Sequence, residues 1–210
     1  SLGARLDEVQ GLLGITTFNG SQSGCELPTT VSHRKPAGSD GPPGDPIPTN
    51  AVCREWGARW TNELALVHPD HVLLTEGFPA VYDIEVHGVW HSACSASWRT
   101  YYAAELYTAL RLLGSTGAQV WISTIPRPGA DFFPSSLDTT TECVNQELRD
   151  VAKTAHASVV DVDGHICPAT GPCGSSLNGQ DLRPDGLHYA DPGGRLLAIW
   201  MVRELTQPLR

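Results

Sequence analysis

The chain has 210 residues, a formal net charge of -9 at pH 7 and a pI near 5.2, and this length suits one α/β domain over residues 1–210. Without any cluster of Lys and Arg, the acidic balance argues against a nucleic-acid partner. The longest apolar runs, such as 196–202, are far shorter than the roughly 20 residues of a transmembrane helix.

Helical and strand-like patterns alternate along the chain. Apolar residues at helical spacing, capping boxes and N-terminal prolines predict helices over 2–13, over 51–66, over 100–113, after Thr139-x-x-Glu142 and after Asp191-Pro192. Short runs rich in apolar or β-branched residues predict strands at 15–18, 72–75, 120–123 and 159–162. We interpret 26–49 and 76–99 as irregular segments.

This alternation favours a parallel sheet with helices on both faces, because such strands are buried on both sides and read as nearly continuous apolar runs. Ligands of parallel sheets bind beyond the carboxyl ends of the strands. We therefore expect the functional residues in the segments that follow residues 18, 75, 123 and 162.

The cysteines indicate disulfide bonds. Their number is even and none lies in a C-x-x-C pair: Cys25, Cys53, Cys94, Cys143, Cys167 and Cys173. Disulfides imply an oxidising compartment outside the cytoplasm. Cys25 and Cys53 could close the loop between them, and Cys167 and Cys173 flank a turn, but six cysteines allow 15 pairings and the sequence leaves the choice open.

A zinc site is the alternative use of Cys94. His87 and His91 are four residues apart and would face the same way on a helix. Gly88 and the surrounding aromatic residues disfavour such a helix, and Cys94 is needed for disulfide pairing. We expect neither a metal nor a cofactor, and a metal-dependent hydrolase remains the lesser alternative.

The run Arg183-Pro-Asp185-Gly-Leu-His188-Tyr precedes the last predicted helix. An Asp three residues before a His can bind the imidazole and fix its tautomer, which leaves the other ring nitrogen free to take a proton from a hydroxyl group. A purely structural interpretation is equally simple. In it Asp185 binds the amides of the turn and His188 caps the helix.

D-G-x-H before a C-terminal helix, in a chain of alternating strands and helices, resembles the last motif of the SGNH hydrolases. In that family a strand leads into G-D-S, whose Ser is the nucleophile at the start of a helix, and Ser1 stands at the start of the first predicted helix. The resemblance implies a three-layer α/β/α fold with a flavodoxin-like parallel sheet. It assigns Ser1, Asp185 and His188 to catalysis, and it places the family's first strand upstream of this sequence.

The oxyanion hole is predicted from the same resemblance. The family's second motif supplies a glycine N–H, and Gly24 takes this role here together with the N–H of Ser1, with Gly20 as the reserve candidate. The third motif normally carries an Asn in G-x-N-D, but this chain has Pro79 at that position, which has no donor. Losing one such donor costs about 10²–10³ in rate. Trp90, Arg99 or a partner could supply a substitute.

Further features of the sequence resemble one group within the SGNH hydrolases. A G-C segment, a later C-x-x-W, Asp83 followed by Gly88-Val-Trp90, Asn145, a C-P at Cys167 and R-P-D-G-x-H-Y together resemble the SGNH domains appended to membrane-bound acyltransferase-3 proteins of actinobacteria. That family implies an acyl donor delivered by an upstream membrane domain and a cell-envelope glycan as acceptor. It also implies an extracytoplasmic location, with a membrane tether outside this sequence.

We therefore expect serine-dependent acyl transfer, most simply of acetyl to a glycan hydroxyl, or ester hydrolysis when water is the acceptor. Trp90 and Trp98 are the predicted substrate platforms, because aromatic rings in the rim segment can stack on sugars. The alternative is a catalytically inactive domain that binds glycans or serves as a scaffold.

Overall fold

The computed structural model of the chain describes residues 2–22, 24–36, 42–129, 133 and 135–206. The helices are α1 (Leu2–Leu13), α2 (Ala51–Arg54), α3 (Trp56–Val67), α4 (Ala96–Leu113), α5 (Ser136–Ala155), α6 (Val162–Ile166) and α7 (Gly193–Thr206), with a 3₁₀-helix at Phe78–Val81. The strands are β1 (Ser32–Arg34), β2 (Ile47–Pro48), β3 (His71–Thr75), β4 (Asp83–Val86), β5 (Val89–His91), β6 (Gln119–Ser123), β7 (Ser158–Val160), β8 (Ser176–Leu177) and β9 (Gln180–Asp181).

The central sheet has the order β3-β6-β7, and both pairings are parallel. Successive side chains of a strand point to opposite faces, so the sheet separates two apolar cores. Leu74 and Ile122 enter the core that contains residues of α3, α4 and α5. Leu73, Trp121 and Val160 enter the core that contains residues of α1 and α7. The predicted three-layer α/β/α architecture is confirmed.

One predicted strand does not form. Residues 15–20 belong to no helix or strand, and they are held to α1 by side chains: the Thr17 hydroxyl donates to Asp7 at 2.6 Å, and the Thr17 N–H donates to Gln10 at 3.1 Å. A strand needs a partner, and no described strand pairs with the edge of β3 that faces away from β6. A groove of about 750 Å³ lies there, lined by β3, 14–22 and α3.

Segment 76–99 contains more regular structure than its sequence suggests. After the 3₁₀-helix, β4 and β5 form an antiparallel hairpin, and β1 pairs with the other edge of β4. The hairpin turn has His87 and Gly88 at φ +51° and +78°. Helix α4 begins at Ala96, since the Ser95 hydroxyl accepts the N–H of Trp98 at 3.2 Å. Strands β1, β4 and β5 have only three or four residues each, which is too short for an alternation of apolar and polar residues to be recognised in the sequence.

Three other boundaries differ from the predictions. The helix expected over 51–66 is divided at Glu55 into α2 and α3. Helix α5 begins at Ser136, so the predicted capping box lies inside its first turns. The strand expected over 159–162 ends at Val160, because the Asp161 side chain accepts the N–H of Gly164 at 3.3 Å and caps α6.

The disulfide prediction is confirmed. The bonds are Cys25–Cys53, Cys94–Cys143 and Cys167–Cys173. Because Cys94 is bonded to Cys143, the zinc alternative loses its third ligand, and the described residues contain no group of three or more metal-binding side chains. Every helix in the described part of the chain is too short or too polar to traverse a bilayer.

Candidate active site

Asp185 and His188 form a hydrogen-bonded pair in the loop before α7. Asp185 Oδ2 lies 2.6 Å from His188 Nδ1, and Asp185 Oδ1 accepts the N–H groups of His188 and Leu187 at 2.8 and 3.0 Å. Gly186 has φ +79°, a conformation that a residue with a side chain rarely adopts, and this lets the loop turn back within three residues. One carboxylate oxygen therefore binds the turn amides and the other orients the imidazole.

The charge of Asp185 fixes the role of each imidazole nitrogen. The hydrogen bond from His188 and the backbone N–H groups of His188 and Leu187 hold the pKa of Asp185 well below its usual range. An ionised carboxylate at Nδ1 keeps the proton on that nitrogen, so Nε2 is available as a base. The imidazole can meet a substrate because its side chain is 85% exposed.

The loop is anchored by a buried arginine. Arg183 is 1% exposed, and its guanidinium donates to the carbonyl oxygens of Arg127 at 2.8 Å and Gly174 at 3.1 Å. The Gly129 N–H also donates to the Gly186 carbonyl at 3.0 Å. These bonds fix the histidine loop to two neighbouring segments. This role could not be predicted from the sequence, because the guanidinium binds backbone carbonyls of distant segments and no local motif marks such an arginine.

The first turn of α1 lies beside the histidine loop. Arg5 Nη1 is 2.7 Å from Asp191 Oδ2, and a β-carbon added at Gly194 would lie 3.3 Å from both Arg5 Cγ and Tyr189 Cβ. Leu2 is buried in the same core as α7. Ser1, the predicted nucleophile, lies outside the described residues. The helix that it precedes in sequence begins next to the residues that follow His188.

Gly20 is among the residues that line the groove at β3, and Gly24 lies four residues further along the chain. Gly24 is exposed and has φ +75°. Gly20, the reserve candidate, accepts a hydrogen bond from Arg59 at 3.2 Å, and its neighbour Asn19 touches α1: a β-carbon at Gly3 would lie 2.5 Å from Asn19 Oδ1. The described contacts thus bring the turn that contains Gly20 to the first turn of α1. They do not bring Gly24 to the histidine loop.

Pro79, which stands where the third motif has its Asn, offers no hydrogen-bond donor to an oxyanion. Pro79 lies in the 3₁₀-helix after β3, and its carbonyl accepts the N–H of Tyr82 at 3.0 Å. Arg99 is engaged elsewhere, donating to the Cys94 carbonyl at 3.2 Å. Trp90 lies under the Arg34 guanidinium, 4.2 Å from the ring centroid. The described contacts bring neither substitute to His188.

The prediction that Trp98 is a platform for the substrate is wrong. Trp98 lies in the first turn of α4, is 0% exposed and stacks on Tyr102 with ring centroids 4.4 Å apart. A ring buried on both faces cannot meet a sugar. Trp90 is partly exposed at the β4–β5 hairpin, beside the exposed side chain of Val89. Trp90 remains a candidate for carbohydrate binding.

A small cavity of about 90 Å³ opens between the carboxyl ends of β3 and β6 and the histidine loop. Its lining comprises Glu76, Gly77, Phe78, Ile125, Pro126, Arg183, Leu187 and Tyr189. Leu187 and Tyr189 flank His188 in the chain. Burial raises the pKa of Glu76 to about 8, with a smaller contribution from Glu26, against the lowering effect of the Leu27 N–H. Glu76 and Phe78 lie in the segment that follows the strand predicted at 72–75, but no local motif marks either residue as functional.

The comparisons with known proteins bear on the fold. No family model and no curated protein matches the sequence. The periplasmic domain of a lipopolysaccharide acetyltransferase from Salmonella ser. Paratyphi A is similar, with a TM-score of 0.61 at 12% identity over 98% of this chain and 79% of that chain. An acetyl xylan esterase, AlAXEase, gives a TM-score of 0.51 at 19% identity over 76% and 78% of the two chains.

A peptidoglycan O-acetylesterase is also similar, with a TM-score of 0.50 at 18% identity. The match covers 69% of this chain but only 39% of that chain. At these identities the likeness concerns the fold. Together with the parallel order β3-β6-β7 and the helical layers on both faces, it shows that the chain has the α/β/α fold of the SGNH hydrolases.

Proposed function

We propose that the protein is a serine-dependent acyltransferase or esterase that forms an acyl-enzyme on Ser1. The observation that carries the proposal is the Asp185–His188 pair, joined at 2.6 Å, with its imidazole exposed. The Arg5–Asp191 ion pair supports it, since it holds the start of α1 beside the histidine loop. The fold likeness to esterases and an acetyltransferase agrees with this chemistry.

The proposed reaction has two halves. The Ser1 hydroxyl attacks the acyl carbonyl while His188 Nε2 takes the hydroxyl proton, and the tetrahedral intermediate collapses when His188 returns that proton to the departing alcohol. A second hydroxyl, from a sugar or from water, then gives its proton to His188 and attacks the acyl-serine. His188 returns this proton to the Ser1 oxygen as the new ester or acid leaves, which restores the Ser1 hydroxyl. Asp185 stays ionised and stabilises the imidazolium in both halves.

A cell-envelope glycan is the proposed acceptor, and acetyl is the proposed acyl group. The structural neighbours include proteins named for lipopolysaccharide, peptidoglycan and acetyl xylan. The partly exposed ring of Trp90 offers an apolar surface for a sugar. The three disulfides favour an extracytoplasmic compartment, and the resemblance to acyltransferase-3 proteins favours a membrane domain as the acyl donor.

The test combines hydrolysis of a chromogenic acetyl ester with covalent labelling by a serine-directed phosphonate. We expect one label per chain, located on Ser1 by mass spectrometry, and loss of both labelling and hydrolysis in His188→Ala. His87→Asn is the matched control, because His87 is an exposed histidine in a turn at positive φ that Asn tolerates. Labelling that persists in His188→Ala, or that falls on another serine, would contradict the proposal.

A catalytically inactive glycan-binding domain is the second candidate. The observation that favours it is Pro79, which leaves the third motif without its hydrogen-bond donor. This candidate predicts no phosphonate label and no hydrolysis in the folded protein, but retained binding to a glycan array. Trp90→Ala should then abolish the binding, whereas His188→Ala should leave it unchanged.

A further inference from the structure

The cavity of about 90 Å³ beside the histidine loop has the position of a pocket for the acyl chain. Leu187 and Tyr189, on either side of His188 in the chain, contribute to its wall, so the cavity borders the histidine loop. Its opposite walls come from Phe78 after β3 and from Ile125 and Pro126 after β6. Ligands of parallel sheets bind at this edge of the sheet.

The walls are chemically suited to a hydrocarbon. Phe78, Ile125, Pro126 and Leu187 present carbon atoms, and the pKa of Glu76 at about 8 leaves that carboxyl group neutral at pH 7. Arg183 is the charged member, and its guanidinium is held by backbone carbonyls. An apolar wall with few polar groups favours an acyl chain over a sugar hydroxyl, because a buried hydroxyl without a partner is costly.

The walls are also held rigidly. The Asn145 side chain accepts the N–H of Ile125 at 2.7 Å and donates to its carbonyl at 2.8 Å, which fixes the backbone after β6. Phe78 packs edge-on against Tyr82 and lies 5.5 Å from the ring of Phe133. The Leu187 N–H is fixed by Asp185. A pocket with such walls cannot widen easily to admit a longer chain.

The volume of the cavity limits the length of the acyl chain that it can hold. A cavity of about 150 Å³ holds benzene, which has six carbons. On this scale 90 Å³ accommodates an acyl group of about two to four carbons. A six-carbon acyl group would exceed this volume.

We propose that this cavity is the acyl pocket and that Phe78 is the residue that restricts the enzyme to short acyl groups. The proposal rests on the proposed function and deepens it. Phe78 has the largest apolar side chain in the lining and lies in the short 3₁₀-helix, so truncation to Ala lengthens the pocket without removing a helix or strand of the sheet. Ile125 is 2% exposed and belongs to the core, which makes it a poorer site for enlargement.

The experiment compares kcat/KM for acetyl, butyryl, hexanoyl and octanoyl esters of one chromogenic alcohol. One methylene in an apolar pocket changes kcat/KM by about 10–200-fold. We expect the wild type to prefer acetyl over hexanoyl by at least about 100-fold, and Phe78→Ala to reduce this preference at least about tenfold. Phe78→Leu, which retains more of the packing, should give an intermediate ratio.

Phe18→Ala is the matched control. Phe18 is 54% exposed and lines the groove at β3 but not the small cavity. Its chain-length profile should equal that of the wild type. The proposal is overturned if the wild type hydrolyses octanoyl and acetyl esters at similar rates, or if Phe78→Ala and Phe18→Ala have the same profile.

A binding measurement separates failure of the pocket from failure of the proposed function. Neutral propionamide and hexanamide are titrated while the methyl signals of Ile125 and Leu187 are followed by NMR. We expect propionamide alone to shift both signals in the wild type, and hexanamide to shift them as well in Phe78→Ala. This result in a protein without esterase activity would refute the proposed function and keep the pocket. Hydrolysis without either shift would refute the pocket and keep the function.

Discussion

The two sides of the candidate site are held in different ways. The histidine loop is fixed by backbone hydrogen bonds and by the buried guanidinium of Arg183. The segment over 15–22 lies across a groove from the unpaired edge of β3 and is attached to α1 through side chains such as that of Thr17. The difference teaches that Asp185 and His188 belong to one firmly held unit, whereas the segment over 15–22, which contains the reserve candidate Gly20, depends on side-chain contacts with α1.

The largest expected effect is a loss of kcat when the Asp185–His188 pair is changed. Asp185→Asn keeps the shape of the side chain but removes the charge that fixes the His188 tautomer, so kcat should fall by about 10³–10⁴-fold. Steady-state kinetics with the acetyl ester measures it, and thermal unfolding checks that the fold is retained. A loss smaller than tenfold would mean that Asp185 serves the turn amides alone.

The second prediction concerns the anchor of the loop. Arg183→Met removes two hydrogen bonds that a charged guanidinium donates to backbone carbonyls, so the free energy of unfolding should fall by about 2–4 kcal/mol. Denaturant unfolding measures it. Arg195→Met is the control, because Arg195 is an exposed arginine in α7, and it should change the free energy of unfolding by no more than about 0.5 kcal/mol. Equal effects of the two variants would refute the anchoring role.

The third prediction concerns the free energy of unfolding when the segment over 15–22, on the other side of the candidate site, is changed. Thr17→Val removes one hydroxyl that donates to Asp7, so the free energy of unfolding should fall by only about 1 kcal/mol. Hydrogen exchange should show faster exchange of the amides over 15–20 than in the wild type, with no change in the histidine loop. A loss as large as that of Arg183→Met would contradict the difference between the two sides.

The last prediction is a pH dependence of the stability at Glu76, which lines both the groove at β3 and the small cavity. Its pKa is about 8 in the folded chain and 4.5 ordinarily, so the folded chain binds more protons over this interval. The free energy of unfolding contributed by this group must fall as the pH rises from 4.5 towards 8. Glu76→Gln should flatten this slope in denaturant unfolding at several pH values, whereas the exposed Glu55→Gln should not. An unchanged slope in Glu76→Gln would refute the shift.

The sequence predicted those parts of the molecule that depend on neighbouring residues. Asp185 and His188 are three residues apart with a glycine between them, so their hydrogen bond follows from the local chain. Helix α1 and the strands β3 and β6 were likewise recognisable from spacing and apolar runs. In each case the residues that create the pattern also create the structure.

The features that the sequence did not predict depend on distant residues. The β-rich run over 15–18 forms no strand because its pairing requires a partner strand, which composition cannot reveal. Trp98 lies in the first turn of α4 rather than on the rim, and its burial against Tyr102 is decided by packing that the apolar spacing does not reveal. The small cavity arises from three segments more than 40 residues apart in sequence, so Phe78 and Glu76 had no local signal.

The disulfide Cys167–Cys173 lies at the segment that receives the Arg183 guanidinium, which is 2.9 Å from Cys173 Sγ and 3.1 Å from the Gly174 carbonyl. Reducing this bond would free the acceptor segment and loosen the anchor of the histidine loop. The loop would then be fully ordered only after oxidation. The order of the histidine loop therefore depends on the oxidation state of a disulfide that lies outside the loop itself.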